Sequence, residues 1–346
     1  MQFSFDDEQI EFRSAMRDFA DKECTVSDLR EAWESDLGWS RTRWSDLAEI
    51  GVVGLSAPEA YGGLEMDTVL STALLEEAGR AGLPEPLMET MALGVPLLAS
   101  AKGPLAGGFR DTWMQKIVSG DAVVTVGLST MPYVPVADAA DLLLLESDGS
   151  VHAIQRGEVT VTARRTLDGA RRLGQVEWTP SASTLLAQGD EAKMLLGDLR
   201  DRAAVASAAL LLGITDKMIA VAAEYAGQRQ QFGRPIGSFQ AVKHHLANAL
   251  VKLEFAKPVV YRAALSLSKG ESTSSRDASA AKAQASDAAV FAARVALQVH
   301  GAIGYTWEHD LHLWAKRAWS LSAAWGDARM HRAQVLKSLL VHVSPA

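Results

Sequence analysis

Residues 225–245 read YAGQRQQFGRPIGSFQAVKHH, and two of them could do binding chemistry together. The guanidinium of Arg229 can make paired charge-assisted hydrogen bonds to a pyrophosphate, and the nearby ring of Phe232 can stack on an adenine. The pair suits the ADP part of a cofactor, although the same glycine- and proline-rich turn also fits an ordinary corner between two helices. A second segment, QVHGAIGY from Gln298 to Tyr305, closes an alanine-rich stretch with Gly301 and Gly304. Those glycines leave room for a ligand or another backbone, and they serve equally to end a helix. His300, His309 and His312 are near one another in sequence, but no carboxylate-histidine spacing among them points to a metal.

Other chemistries are missing from the sequence. It has no dinucleotide-binding glycine fingerprint, no phosphate loop ending in Gly-Lys-Ser/Thr and no His-Glu-x-x-His pair. The Glu-x-x-His pairs that a di-iron helical bundle requires are absent too. The single cysteine, Cys24, rules out an intramolecular disulfide and a multi-cysteine metal site, which fits a reducing cytoplasm. With 34 basic and 42 acidic residues the net charge is −8, which argues against a nucleic-acid or anionic-membrane partner. Asp6, Asp7, Glu8 and Glu11 stand where an export signal would need a basic start and an apolar stretch. The longest apolar run, Ala203 to Leu212, falls short of the roughly 20 residues that cross a bilayer. A soluble, cytoplasmic protein is expected.

The elements that would position these segments can be read from composition and spacing. The 346 residues, 48% of them hydrophobic, suffice for two or three domains. Eight of the 11 prolines precede residue 199, and the alanine-rich remainder predicts helices over 201–227, 239–269, 278–303 and 316–343, packed as an antiparallel four-helix bundle. Phe239, Val242, Leu246, Leu250 and Leu253 recur at steps of three and four, which predicts a core-facing stripe on the second helix. Pro258 is expected to kink that helix, and Gly270 to Asp277 to form an exposed connection. Residues 1–112 also read as helical, with breaks at Gly51 to Gly63, Gly82 to Pro86 and Gly103 to Gly108. Between the helical parts, Val123 to Val126, Leu142 to Leu145 and Val159 to Thr162 read as short strands, separated by turn-formers such as Asp148-Gly149. The expectation is a mainly α protein: an N-terminal helical domain (1–112), a reduced, barrel-like β domain (113–191) and a C-terminal helical bundle (192–346).

In this order, these residues resemble the acyl-CoA dehydrogenase family, which carries an R-x-x-F-G turn, a following F-Q, and a Q-x-x-G-G-x-G segment on successive C-terminal helices. FDDEQ at Phe5 to Gln9, PEAYGG at Pro58 to Gly63 and LLEEAGRAG at Leu74 to Gly82 look like that family's N-terminal landmarks. The resemblance implies a flavin enzyme that takes the α-proton of an acyl-CoA while the β-hydride moves to FAD, with an electron-transfer flavoprotein or similar acceptor downstream. It implies FAD pyrophosphate and adenosine contacts from Arg229, Gln231 and Phe232, joined by Gln240, Gln298 and Gly301, reaching the flavin of a neighbouring subunit. Ala302 replaces the second glycine of the usual pair.

Two departures from the family pattern are larger. The T-E-P-x-x-G-S-D segment that holds substrate and flavin is replaced by VGLSTMPYVPVAD at Val126 to Asp138, and no W-I-T/S segment follows. Where many members place the catalytic Glu of an E-G-T segment, this chain reads AAWGDA at Ala323 to Ala328, so Trp325 takes the position of the base, with Asp327 after the glycine. Other members place the base just before an arginine on the first bundle helix, which corresponds here to Asp201, followed by Arg202. An acidic residue in a first helical turn is also favoured by the helix dipole alone. Some bacterial members, notably in steroid degradation, are α2β2 heterotetramers in which a shorter subunit completes the partner's FAD site, and this chain is similar to that shorter, β-type subunit. A self-sufficient homotetramer using Asp201, or a non-catalytic scaffold, are the alternatives.

Overall fold

The structure, a computed structural model, describes residues 5–103, 105 and 107–341. The first helices are α1 (Asp7–Glu23), α2 (Val26–Glu34), α3 (Arg41–Glu49) and α4 (Thr68–Ala81). A π-helical stretch (Met88–Gly94) runs into α5 (Val95–Ser100), and α6 (Gly108–Val118) follows. Local chemistry starts these helices: Asp6 caps α1 by accepting from Gln9 N at 2.8 Å while Gln9 accepts from Asp6 N, a reciprocal capping box. The expected break at Gly103 to Gly108 includes Pro104 and Ala106, which lie outside the described residues.

Seven short strands follow: β1 (Val124–Gly127), β2 (Val134–Pro135), β3 (Leu142–Ser147), β4 (Ser150–Gln155), β5 (Thr160–Arg164), β6 (Leu173–Glu177) and β7 (Leu185–Ala187). They form a four-stranded sheet in the order β1-β3-β4-β7 and a three-stranded sheet in the order β2-β6-β5. Asp148 and Gly149, both at positive φ (49° and 75°), form the two-residue turn between β3 and β4, as that dipeptide predicts. Val134, Ala137, Leu143, Leu145, Ile154 and Val159 make the core of this region.

The C-terminal part contains α7 (Gly189–Gln228), a small hairpin of β8 (Gln230–Gln231) and β9 (Arg234–Pro235), α8 (Gln240–Ser268), α9 (Ser274–His300), a 3-10 turn (Gly301–Tyr305), α10 (Leu311–Ala323) and α11 (Ala328–Val341). The chain thus runs helical, β, helical. By contacts it divides into two compact units: Met1–Leu29, Thr72–Leu83 and Ala204–Ala346 form one, Arg30–Ser71 and Pro84–Ala203 the other.

Several expectations are corrected. The first bundle helix begins at Gly189, not near 201, so Asp201 lies well inside it and its first-turn acids are Asp190 and Glu191. The helix expected over 316–343 is two, because Trp325 and Gly326, at φ 58° and 97°, leave helical geometry between α10 and α11; residues 342 and 343 lie outside the described residues. The serine-rich connection is shorter than expected, with α9 starting at Ser274. Helix α8 runs through Pro258, and its buried stripe is Ala249, Leu253, Ala256, Val260 and Ala263, so of the expected stripe Leu253 is fully buried, Phe239, Val242 and Leu246 are half-buried and Leu250 is 44% exposed. Small side chains on the buried stripe let α8 lie close against its neighbour, and this turns Leu250 outward. Helix α7 also contains a window long and apolar enough to cross a membrane, 67% of it buried within the protein as in a core helix.

In the first unit, α4 and α7 cross at glycines. A Cβ on Gly213 would fall 1.8 Å from Glu76 O, and one on Gly79 would fall 2.2 Å from Leu210 O. Arg13, Arg17 and Arg80 converge on buried Glu77, and Arg317 and Trp314 bond the carbonyls of residues 80–83.

Candidate functional site

The two segments with binding chemistry lie at the ends of α7 and α9, within one unit. After α7, Arg229 N donates to Tyr225 O at 2.8 Å and Ile236 N donates to Arg229 O at 2.8 Å, so the chain closes into the β8-β9 hairpin. Its turn residues, Phe232 and Gly233, both take positive φ (53° and 76°). That left-handed geometry is strained for an aromatic residue, and it presents the Phe232 ring 91% exposed. Phe232 meets Phe239 edge to face at 6.1 Å, and the Arg234 guanidinium lies 4.2 Å from the Phe239 ring centroid.

Gln240 opens α8, whose N-cap Phe239 supplies no side-chain acceptor, so its first N–H groups face outward beside the hairpin. A helix N-terminus with free donors attracts an anion. Arg229, Gln231, Gln240, Gln298 and Gly301 are all exposed. Their side chains make no hydrogen bond or ion pair among the described residues. Gly301 has φ 64°, and the space where its Cβ would sit is open. The two segments are brought together by the stacked rings of Tyr225 and His300, 4.4 Å apart. The donor set of guanidinium, amides and helix N-terminus, with an exposed aromatic ring, fits the pyrophosphate and adenosine of FAD.

The other candidates are placed differently. Asp201 is half-buried within α7 and already engaged; Arg202 beside it pairs with Asp198 at 2.6 Å and donates to Thr68 Oγ1 at 3.2 Å. Trp325 is buried, with an indole N–H that has no hydrogen-bond partner. Asp327 caps α11, accepting from Met330 N at 2.8 Å. Neither residue of the WGD segment offers a free carboxylate.

Sequence reasoning missed what holds that segment. Lys282 is fully buried on α9, and its Nζ donates to Leu321 O, Ser322 O and Gly326 O at 3.0–3.2 Å, closing the end of α10. His331 Nε2 lies 3.0 Å from Trp325 O. Burial pushes the His331 imidazole below its ordinary value, the bond to Trp325 opposing and the Lys282 charge adding to the shift. A lysine in an alanine-rich helix reads as a surface residue, so no local signal marked it. His300 and His309 meet edge to face at 4.3 Å, and His312 stacks on Trp307 at 4.3 Å.

An N-terminal and a C-terminal helical domain around short sheets, with an arginine-aromatic hairpin between two bundle helices, define an acyl-CoA dehydrogenase fold. The models for the acyl-CoA dehydrogenase N-terminal and C-terminal domains match residues 6–121 and 200–340. The acyl-CoA dehydrogenase IpdE2 of Mycobacterium tuberculosis is 32% identical over 315 residues, covering 90% of this chain and 91% of its own. IpdE2 of Mycolicibacterium smegmatis is 33% identical over 318 residues, covering 92% and 94%. Among solved structures, a chain of the ChsE4-ChsE5 complex from Mycobacterium tuberculosis aligns over 100% of both chains, with TM-score 0.87 and 26% identity. The chain belongs to the acyl-CoA dehydrogenase family, which is one of FAD-dependent oxidoreductases.

Proposed function

We propose that this chain is the β-type subunit of an α2β2 acyl-CoA dehydrogenase and completes the FAD site of a homologous partner. The observation that carries this reading is that the polar side chains of Arg229, Gln231, Gln240 and Gln298 are exposed and make no hydrogen bond or ion pair among the described residues, and that Phe232 beside them is 91% exposed. Side chains held outward on a strained hairpin and an uncapped helix start are arranged for something outside the chain. The ChsE4-ChsE5 complex is a pairing of two different chains, which supports a heteromeric arrangement here.

When bound, FAD accepts the hydride from the β-carbon of an acyl-CoA during α,β-desaturation. This chain's part is binding and orientation. Arg229 and the start of α8 with Gln240 would neutralise the pyrophosphate, Phe232 would lie against the adenine, and Gln298 beside Gly301 would bond the remaining polar edge. The middle domain lacks the T-E-P-x-x-G-S-D segment, so the flavin ring and the acyl-CoA thioester belong on the partner. So does the base: Trp325 has no basic atom to take up a proton, Asp327 is a helix cap, and Asp201 is already engaged. A bulky acyl group of the steroid-derived kind is the proposed substrate class, and an electron-transfer flavoprotein or similar protein the acceptor.

The test is Arg229→Ala in the co-expressed complex. A bidentate charge-assisted contact is worth about 1.5–3 kcal/mol, so FAD affinity should fall about ten- to a hundredfold with the complex still assembled. Full FAD loading in the variant would sink the shared site.

A further inference from the structure

A cluster of three rings joins the two cofactor-facing segments, and the binding reading above gives it no task. His300, the last residue of α9, is only 4% exposed. Its Nδ1 is 2.7 Å from Ala296 O, so the proton sits there, and Nε2 is buried without a hydrogen-bond partner among the described residues. Tyr225 of α7 stacks on one face at 4.4 Å and 25°, and His309 meets the ring edge-on at 4.3 Å. Tyr225 is the residue whose carbonyl accepts from Arg229 N at the entrance to the hairpin. Gln298 lies two residues before His300, and Gly301 directly after it. One imidazole thus touches the anchor of Arg229 while carrying the chain from Gln298 into the glycine turn.

We infer that His300 is a positioning residue: stacked on Tyr225 and bonded to Ala296, it locks the segment bearing Gln298 and Gly301 in register with the segment bearing Arg229 and Phe232. This rests on the proposed FAD site, since the register matters only if both segments hold one ligand. The lock requires neutral imidazole. A proton on Nε2 would have no acceptor there among the described residues, and the charge would sit against the His309 ring. The titratable groups in contact with the ring are Tyr225 from α7 and His309 from the loop ahead of α10. Burial is the main cause that holds His300 below the ordinary histidine value, the Ala296 bond opposing and His309 adding to it. The lock is therefore complete above that ordinary value and is lost as the pH falls through the depressed one.

The test uses two readouts: amide hydrogen exchange of residues 229–238 and 298–305 in the chain alone, and FAD retention by the co-expressed complex across pH 5–8. His300→Ala should speed exchange in both segments and weaken FAD retention about five- to tenfold, the scale of one lost aromatic pair. His300→Phe keeps a ring against Tyr225 but takes up no proton. It should hold FAD better than His300→Ala at neutral pH, short of the wild-type level for want of the Ala296 bond, and abolish the loss seen on acidification. Unchanged exchange of residues 229–238 in His300→Ala overturns the inference whatever FAD does, and so does a pH dependence that persists in His300→Phe, which would belong to His309. Faster exchange with unchanged FAD also overturns it while Arg229→Ala still loses FAD; if Arg229→Ala keeps FAD as well, the shared site itself falls and the inference with it.

Discussion

At the residue scale, the charges that matter most are buried ones held by several partners. Burial alone would push the Glu77 carboxyl up, but hydrogen bonds from Arg17 and Arg13 and their charges outweigh it and hold it below the ordinary carboxylate value. A carboxyl depressed on folding adds stability that is present above its unfolded value and lost as the pH falls through the folded one. Glu77→Gln should therefore cost about 2 kcal/mol at neutral pH, discounted for the partly exposed arginines, and flatten the loss of melting temperature below pH 4.5. A thermal denaturation series against pH checks both. Lys282 makes a second such case: Lys282→Met leaves three carbonyls at the end of α10 without their donor and should cost about 3 kcal/mol. Limited proteolysis should then cut between α10 and α11, where Trp325 is held at positive φ. Neither network was legible beforehand. Arg13 and Arg17 on α1 are far from Glu77 in sequence, and only the packed helices show that they meet it.

At the element scale, the legible features were those with local causes. Asp148-Gly149 gave its hairpin because that dipeptide tolerates two left-handed residues, and the glycines around Phe232 marked the turn between α7 and α8. What the spacing could not show was which of two stripes on α8 is buried. Ala249, Ala256 and Ala263 repeat at helical steps as the expected stripe does, the two sharing Leu253, and close packing, not hydrophobicity, buried the alanines and left Leu250 outside. The start of α7 was misplaced for a similar reason, because its first turns carry as much charge as a loop. Gly79 in LLEEAGRAG and Gly213 have a clearer meaning in the structure: they are the points where α4 and α7 touch backbone to backbone. Gly213→Ala has no space to occupy and should destabilise the chain by about 3 kcal/mol or more, read as a lower denaturation midpoint with unchanged slope.

At the scale of the whole molecule, the exposed apolar residues of the helical unit are the counterpart of its exposed candidate binding residues. Leu250, Val251 and Phe255 on α8 and Leu336, Leu339 and Leu340 on α11 range from 44% to 68% exposed. Helix faces of this kind mark subunit contacts. Phe255→Glu should leave the melting temperature of the isolated chain nearly unchanged and reduce its recovery with a co-expressed partner, as measured by size-exclusion chromatography. The most direct test of the central claim is the flavin absorbance per chain, measured first on this protein alone and then on the complex with its homologous partner. A shared site predicts essentially no flavin on the chain alone and about one per pair of chains in the complex. About one flavin per chain on the isolated protein would contradict it.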